Sequence, residues 1–183
     1  MANRERIVTA ALEVFGTQGA AASTDEVARR AGVGIATVFR HFPTKHALVE
    51  EALLRQFAAL HEQAAKAVKD ADPALALDEL LTAMVDAGGS KLTLAGLLRD
   101  AADPPTAVLD AAAELRGLVD TVLRRAQDAG TTDPDVSIDE VYFLLRGLAE
   151  ASAGGDTEPA VLARAVRIVR RGIARRPTSG AQP

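Results

Sequence analysis

The residues that could do chemistry are concentrated between Ser23 and Phe42. Ser23-Thr24-Asp25-Glu26 reads as a capping box: the serine hydroxyl accepts from a free amide one turn on, and the glutamate reaches back to the cap's own N–H. Val27, Ala28 and Ala31 give the following short helix its buried side, and Gly32-Val33-Gly34 breaks it after about two turns. A second short helix is expected over residues 35–41, with Val38 and Phe42 facing inward and Pro43-Thr44 closing it. Two short helices around a tight turn cross one another, with small Ala28 at the crossing and Val33 filling the space under the turn. The polar side of the second helix is then free to enter a DNA major groove. The same spacing also suits an ordinary corner of a helical bundle, so the motif alone leaves both readings open.

Other chemistries find little to work with. The chain has no cysteine, which removes disulfides and thiolate metal sites and fits a reducing compartment. His41, His46 and His61 are scattered. His61, beside Glu62 and Gln63, is either a metal or ligand contact or a solvated histidine, and the lack of a second histidine or cysteine at ligand spacing favours the latter. There is no glycine-rich phosphate loop after a strand and no nucleophile–base–acid grouping, so neither an enzyme nor a metal or cofactor site is expected. Arg164, Arg167, Arg171 and Arg175, with Arg170 and Arg176 nearby, are either a second nucleic-acid surface or a solvated helix face. The apolar Leu162, Ala165, Val166, Val169 and Ile173 opposite favour the solvated face, with Asp139, Glu140 and Glu150 as acidic partners.

The elements that position these residues read as helices throughout. Hydrophobic residues make up 48% of the 183 positions and charged ones 25%, enough for a real core and too apolar for global disorder. Periodicity predicts an all-α fold of about nine helices. Ile7, Val8, Ala11, Leu12 and Phe15 form one face of the first, which Gly16 and Gly19 close. The fourth runs over residues 45–69, the fifth over 74–87, where Gly88-Gly89 stops it, and the sixth over 91–102. Asp103-Pro104-Pro105 restarts the chain into a helix reaching Gly130, and the last two cover 138–153 and 158–175, separated by Gly154-Gly155-Asp156. The divisions expected are a head over 1–47, a body over 48–176 and a flexible tail over 177–183. The boundary falls inside the fourth helix, because no turn signal follows Lys45. Net charge is −4, but the head carries +2 and the rest −6, a distribution compatible with a DNA-binding head on an acidic body. Neither a signal-peptide core nor a membrane-spanning run is found, so the expectation is a soluble, cytoplasmic protein with no membrane partner.

The run Ile7-Val8-Thr9-Ala10-Ala11-Leu12-Glu13-Val14-Phe15, then Gly19, Ser23-Thr24-Asp25-Glu26-Val27-Ala28, Ala31-Gly32-Val33-Gly34 and Thr37-Val38-Phe39-Arg40-His41-Phe42-Pro43-Thr44-Lys45 resembles the N-terminal domain of the TetR family of transcriptional regulators. The likeness is nearly continuous over residues 4–53 and architectural beyond. It implies that Gly34, Ile35, Ala36, Thr37, Phe39, Arg40 and His41 present the recognition helix to DNA. Thr37 would meet a phosphate or base edge, Ile35 or Ala36 a thymine methyl, and Arg40 guanine or phosphate. Ser23, Thr24 and Lys45 would hold phosphates, helped by helix N-termini. Two positions depart from the family pattern. Phe39 stands where tyrosine is common, losing a phenolic hydroxyl, and Ile35 stands where lysine is common.

The helix over 138–153 is apolar nearly all round and needs neighbours on two sides, while Gly147 and Ala151 permit close approach. A dimerisation pair is expected from Leu144, Gly147, Leu148, Ala151, Leu162, Val166 and Val169, with burial inside one large core as the alternative. The middle helices would surround a cavity for an unknown small-molecule effector. Its candidate lining is Phe57, Leu60, His61, Leu81, Met84, Leu98, Arg99, Leu115, Val119, Val122, Tyr142 and Arg146, with Asp86 a further polar candidate. The expected function is a repressor that binds a palindromic double-stranded operator as a homodimer and is released by the effector through the fourth helix. The rivals are a helical adaptor on the same fold and an activator.

Overall fold

The computed structural model describes residues 2–99, 105–153 and 157–175. Eight α-helices run through them: α1 Asn3–Gln18, α2 Thr24–Ala31, α3 Ile35–His41, α4 Lys45–Ala67, α5 Pro73–Arg99, α6 Thr106–Asp128, α7 Ile138–Ala153 and α8 Pro159–Ile173. No strand occurs among the described residues. The expected 177–183 tail, the Asp103-Pro104 restart and the 154–156 break lie outside them.

Local chemistry accounts for the head. The Glu26 amide donates to Ser23 Oγ at 3.2 Å and the Ser23 amide to Glu26 Oε2 at 3.0 Å, completing the capping box of α2. Gly32 ends α2 in the left-handed region, at φ 64°, where a side chain would be strained. Its carbonyl accepts from the Arg6 guanidinium of α1 at 3.2 Å, so the turn is fastened to the helix beneath it. Thr44 Oγ1 accepts from the Ala47 amide at 3.0 Å and starts α4.

α5 differs from the expected pair of helices. It continues through Gly88-Gly89 as one helix of 27 residues, which lowers the count from about nine to eight. A Cβ on Gly88 would lie 2.5 Å from Ala149 Cβ, and one on Gly89 would lie 3.5 Å from Ala153 Cα. These glycines let α7 approach α5 closely; they do not stop a helix. Gly16 is a second correction of the same kind. α1 runs past it, a Cβ there would lie 2.9 Å from Ser90 Cβ, and only Gly19, at φ 58°, closes the helix. Packing against a neighbour, worth more than the roughly 1 kcal/mol intrinsic helix penalty of glycine, decides both cases.

Head and body share one core. Ile7, Phe15, Val27 and Val38 of the head are fully buried in the same cluster as Leu53, Leu81, Leu98, Leu115 and Val119 of the body. α4 bridges them, packing on α1 as well as on α5 and α6. α5 also packs on α1, so the head has two connections to the body.

Candidate DNA-binding head and effector cavity

α3 is held from below and open above. Val38 is buried and Phe42 nearly so, whereas Ala36, Phe39, Arg40 and His41 are exposed, with Ile35 and Thr37 half-buried. Phe39, at 46% exposure, is a large apolar ring left in solvent. Most head cations are engaged: Arg4 with Glu51 at 2.8 Å, Arg30 with Glu13 at 2.6 Å, and Arg6 on the Gly32 carbonyl. Arg40 makes no ion pair or hydrogen bond among the described residues, and neither does His41. Ser23 and Thr24, at the start of α2, are half-buried, and the Ser23 hydroxyl is already bonded to Glu26.

Lys45 is placed differently from its expected role. Its ammonium donates to the Ala22 carbonyl at 2.6 Å and lies 5.2 Å from the centre of the Phe15 ring. It fastens the start of α4 to the turn before α2, an internal contact rather than an outward-facing cation. Nothing in the local sequence distinguishes these roles, because the carbonyl partner is 23 positions away.

In the body, α4, α5, α6 and α7 form a partly open cavity of about 350 Å³ lined by Leu53, Met84, Lys91, Leu92, Ala95, Leu98, Arg99, Val108, Leu109, Tyr142, Leu145 and Arg146. Of the residues expected there, it includes Met84, Leu98, Arg99, Tyr142 and Arg146. Leu115, Val119 and Val122 are instead buried in the core, Phe57 and Leu60 nearly so, and His61 is exposed outside. Leu81 borders a separate recess with Asp78, Arg170 and Ile173. Asp86 is exposed and does not line the cavity.

Seven of the described lining residues were not expected there, and of these Lys91 alone is charged. Burial pushes its ammonium below the usual lysine value, and the Nζ atom lies 5.3 Å from the centre of the Phe57 ring. The sequence places Lys91 at the start of a separate helix over 91–102, and the uninterrupted α5 brings it into the cavity lining instead. Tyr142 has a buried hydroxyl with no hydrogen-bond partner among the described residues. Burial, opposed by the Arg116 guanidinium, pushes its ionisation up to about 12, so the phenol keeps its proton.

A third surface is formed by α7 and α8. Phe143 is 79% exposed and Ile168 63%, with Val161 and Leu144 also exposed. Gly147 and Ala151 are exposed as well, and a Cβ on Gly147 would meet nothing within 4 Å. Val166 lies in the subunit's own core at 4% exposure, and Leu148, Leu162 and Val169 are half-buried. Sequence periodicity thus marked the inward face of α8, while Val161 and Ile168 occupy the outward one. The acidic partners expected for the arginine stripe are engaged elsewhere: Asp139 with Arg116, Glu150 with Arg146, and Glu140 with Ser137. Arg170 pairs instead with Asp78 of α5. No helix is long and apolar enough to cross a membrane, and no group of potential metal ligands occurs, among the described residues.

Comparison with known proteins covers both parts of the chain. Residues 7–52 match the family model described as bacterial regulatory proteins, tetR family. Residues 72–175 match that of the SbtR-like transcriptional regulator C-terminal domain. The crystal structure of a TetR transcription regulatory protein from Mycobacterium vanbaalenii is 31% identical, with 94% of this chain and 95% of that one covered and a TM-score of 0.74. A TetR transcriptional regulator from Streptomyces coelicolor is 28% identical, with 96% and 99% covered and a TM-score of 0.77. The transcriptional regulator FadR from Bacillus subtilis, solved in complex with stearoyl-CoA, shares the fold at 15% identity, 92% and 98% coverage and a TM-score of 0.65. No curated protein sequence matches the chain.

Proposed function

The chain belongs to the TetR family of bacterial transcriptional regulators, and on that premise we propose that it is a repressor that binds a palindromic operator as a homodimer and is released by a small-molecule effector. The observation that carries the reading is α3. It lies on a buried Val38, leaves Phe39, Arg40 and His41 exposed and Thr37 half-buried, and the Arg40 guanidinium has no partner among the described residues. In the groove, Thr37 meets a base edge or phosphate, Ile35 and Ala36 lie against thymine methyls, and Arg40 reads guanine or phosphate. Phosphates at the α4 N-terminus are held by backbone amides and the helix dipole, since Lys45 is engaged within the head.

Dimerisation uses the exposed faces of α7 and α8, where Leu144, Gly147 and Ala151 are joined by Phe143, Val161 and Ile168. A two-fold axis between these helices gives two heads, one for each half-site. The occupied cavity favours a head separation that does not fit successive major grooves, and operator affinity falls by population shift.

Coupling runs through α5 as well as α4. Gln56 of α4 donates to the Ala87 carbonyl at 3.0 Å and to Ser90 Oγ at 2.7 Å. Ser90 packs against Gly16 of α1, and its neighbours Lys91 and Leu92 line the cavity. One turn of α5 therefore touches the cavity, the bridging helix and the head. Purified protein tested against genomic fragments, including the DNA upstream of its own gene, should select a palindromic site. Failure to select one at low salt, with the dimer intact, would move the reading to a helical adaptor.

A further inference from the structure

We propose that the cavity among α4, α5, α6 and α7 is built for an amphipathic anion of moderate size, a carboxylate on an apolar body, with the carboxylate received by Lys91 and the Tyr142 hydroxyl. The inference rests on the reading of this cavity as the effector site and names the chemistry of the ligand. Its lining divides sharply. Leu53, Met84, Leu92, Leu98, Val108 and Leu145 supply an apolar wall, while the charged members are Lys91, Arg99 and Arg146, with no carboxylate in the lining among the described residues. Arg146 is already held by Glu150 at 2.7 Å. Lys91 and Arg99 have no ion-pair partner among the described residues.

Two features point to an acceptor-bearing ligand independently of the charge count. The Tyr142 hydroxyl is buried without a hydrogen-bond partner among the described residues, a state that native interiors rarely leave standing. Lys91 is partly desolvated, its ammonium lies by the Phe57 ring with no hydrogen-bond or ion-pair partner among the described residues, and burial disfavours its charged form. An anion supplies what both lack: it accepts from the phenol, which remains protonated, and it favours the charged form of the lysine by pairing with it. A neutral apolar ligand would leave the phenol unsatisfied, and a cation would be repelled by the lysine. The 350 Å³ volume lies near the lower end of ligand cavities, which favours a medium-length apolar chain.

The test is calorimetric titration of the full-length chain with three probes that share a tail and differ in the head: decanoate, decanol and decylamine. Decanoate is expected to bind about tenfold or more tighter than decanol, and decylamine weakest, since one charge-assisted hydrogen bond is worth about 1.5–3 kcal/mol. Lys91→Met should lose about tenfold for decanoate and leave decanol within about threefold. Tyr142→Phe, which keeps the ring, should lose severalfold for decanoate alone and serves if Lys91→Met fails to fold. Decanol binding as tightly as decanoate, decylamine binding best, decanoate indifferent to both substitutions, or no binding of any probe would each overturn the proposal. Operator affinity is measured alongside. Decanoate that binds with the expected preferences but leaves the operator bound sustains the ligand class and refutes the effector reading.

Discussion

Gly88 offers a test of the packing that shapes the body. In an isolated helix, replacing an interior glycine by alanine stabilises by about 1 kcal/mol. Here the added methyl would lie 2.5 Å from Ala149 Cβ and 3.5 Å from Ala149 Cα. Carbon atoms pack comfortably at about 3.5–4.0 Å, so α5 and α7 must separate by roughly 1 Å. Overpacking of this kind costs about 1–3 kcal/mol, which cancels or exceeds the propensity gain of about 1 kcal/mol and leaves Gly88→Ala between neutral and about 2 kcal/mol destabilising. For a chain of this size that lowers Tm by up to roughly 8 °C. Gly96, in the same helix, has nothing within 4 Å of its added Cβ, so Gly96→Ala should raise Tm by a few degrees. Thermal unfolding followed by circular dichroism, at matched protein concentration because a dimer's Tm depends on it, separates the two. In a double-mutant cycle, Ala149→Gly should rescue part of the Gly88→Ala loss, giving a coupling of about 1 kcal/mol. A Gly88→Ala protein stabilised as much as Gly96→Ala, or a cycle without coupling, would refute the close approach of α5 and α7.

The remaining expectations concern the head, the coupling route and the dimer. Arg40→Ala should weaken operator binding and lower the salt slope by about 1 in a titration across ionic strength, whereas Lys45→Met should lower Tm and leave that slope unchanged, because its ammonium is held by Ala22; equal slope changes would return Lys45 to the phosphate. Gln56→Ala should reduce the effector-induced loss of operator affinity, measured by fluorescence anisotropy, and an unaltered response would remove the Gln56–Ser90 contact from the coupling route. Ile168→Glu should give monomers by analytical ultracentrifugation and weaken operator binding; a dimer of unchanged stability would place the interface elsewhere. Glu26 and Glu140 are held below the usual carboxylate value, first by the backbone amides and then by the hydroxyls of Ser23 and Ser137. The stabilisation they provide is present above the ordinary glutamate range and is lost as pH falls through their lowered values. Wild-type Tm should therefore fall more steeply than that of Glu26→Gln on acidification, and parallel curves would contradict the capping account.

The head was legible because its signals are local. Ser23 and Glu26 are three positions apart, Gly32 must take a positive φ to end α2, and Thr44 caps α4 within one turn. The body was harder because its decisive contacts span long distances in sequence. Gly88-Gly89 resembles a helix stop until Ala149 is known to press against it, and Gly16 resembles one until Ser90 is placed above it. With α5 divided in two, Lys91 had no reason to face a cavity. On α8, two apolar strips compete, and only the position of α5, to which Arg170 is tied through Asp78, settles that Val166 faces inward and Ile168 outward. Lys45 sits where a phosphate-binding cation would be expected, but the Ala22 carbonyl reaches it from an earlier turn.

The most direct test of the central claim is selection of DNA by the purified full-length protein from fragments of its own genome, followed by affinity measurements on the selected site across a salt series. The account predicts one class of palindromic site, bound with an affinity that falls steeply as salt rises and weakened by both Thr37→Ala and Arg40→Ala. Binding that selects no sequence, or a selected site indifferent to both substitutions, would contradict it.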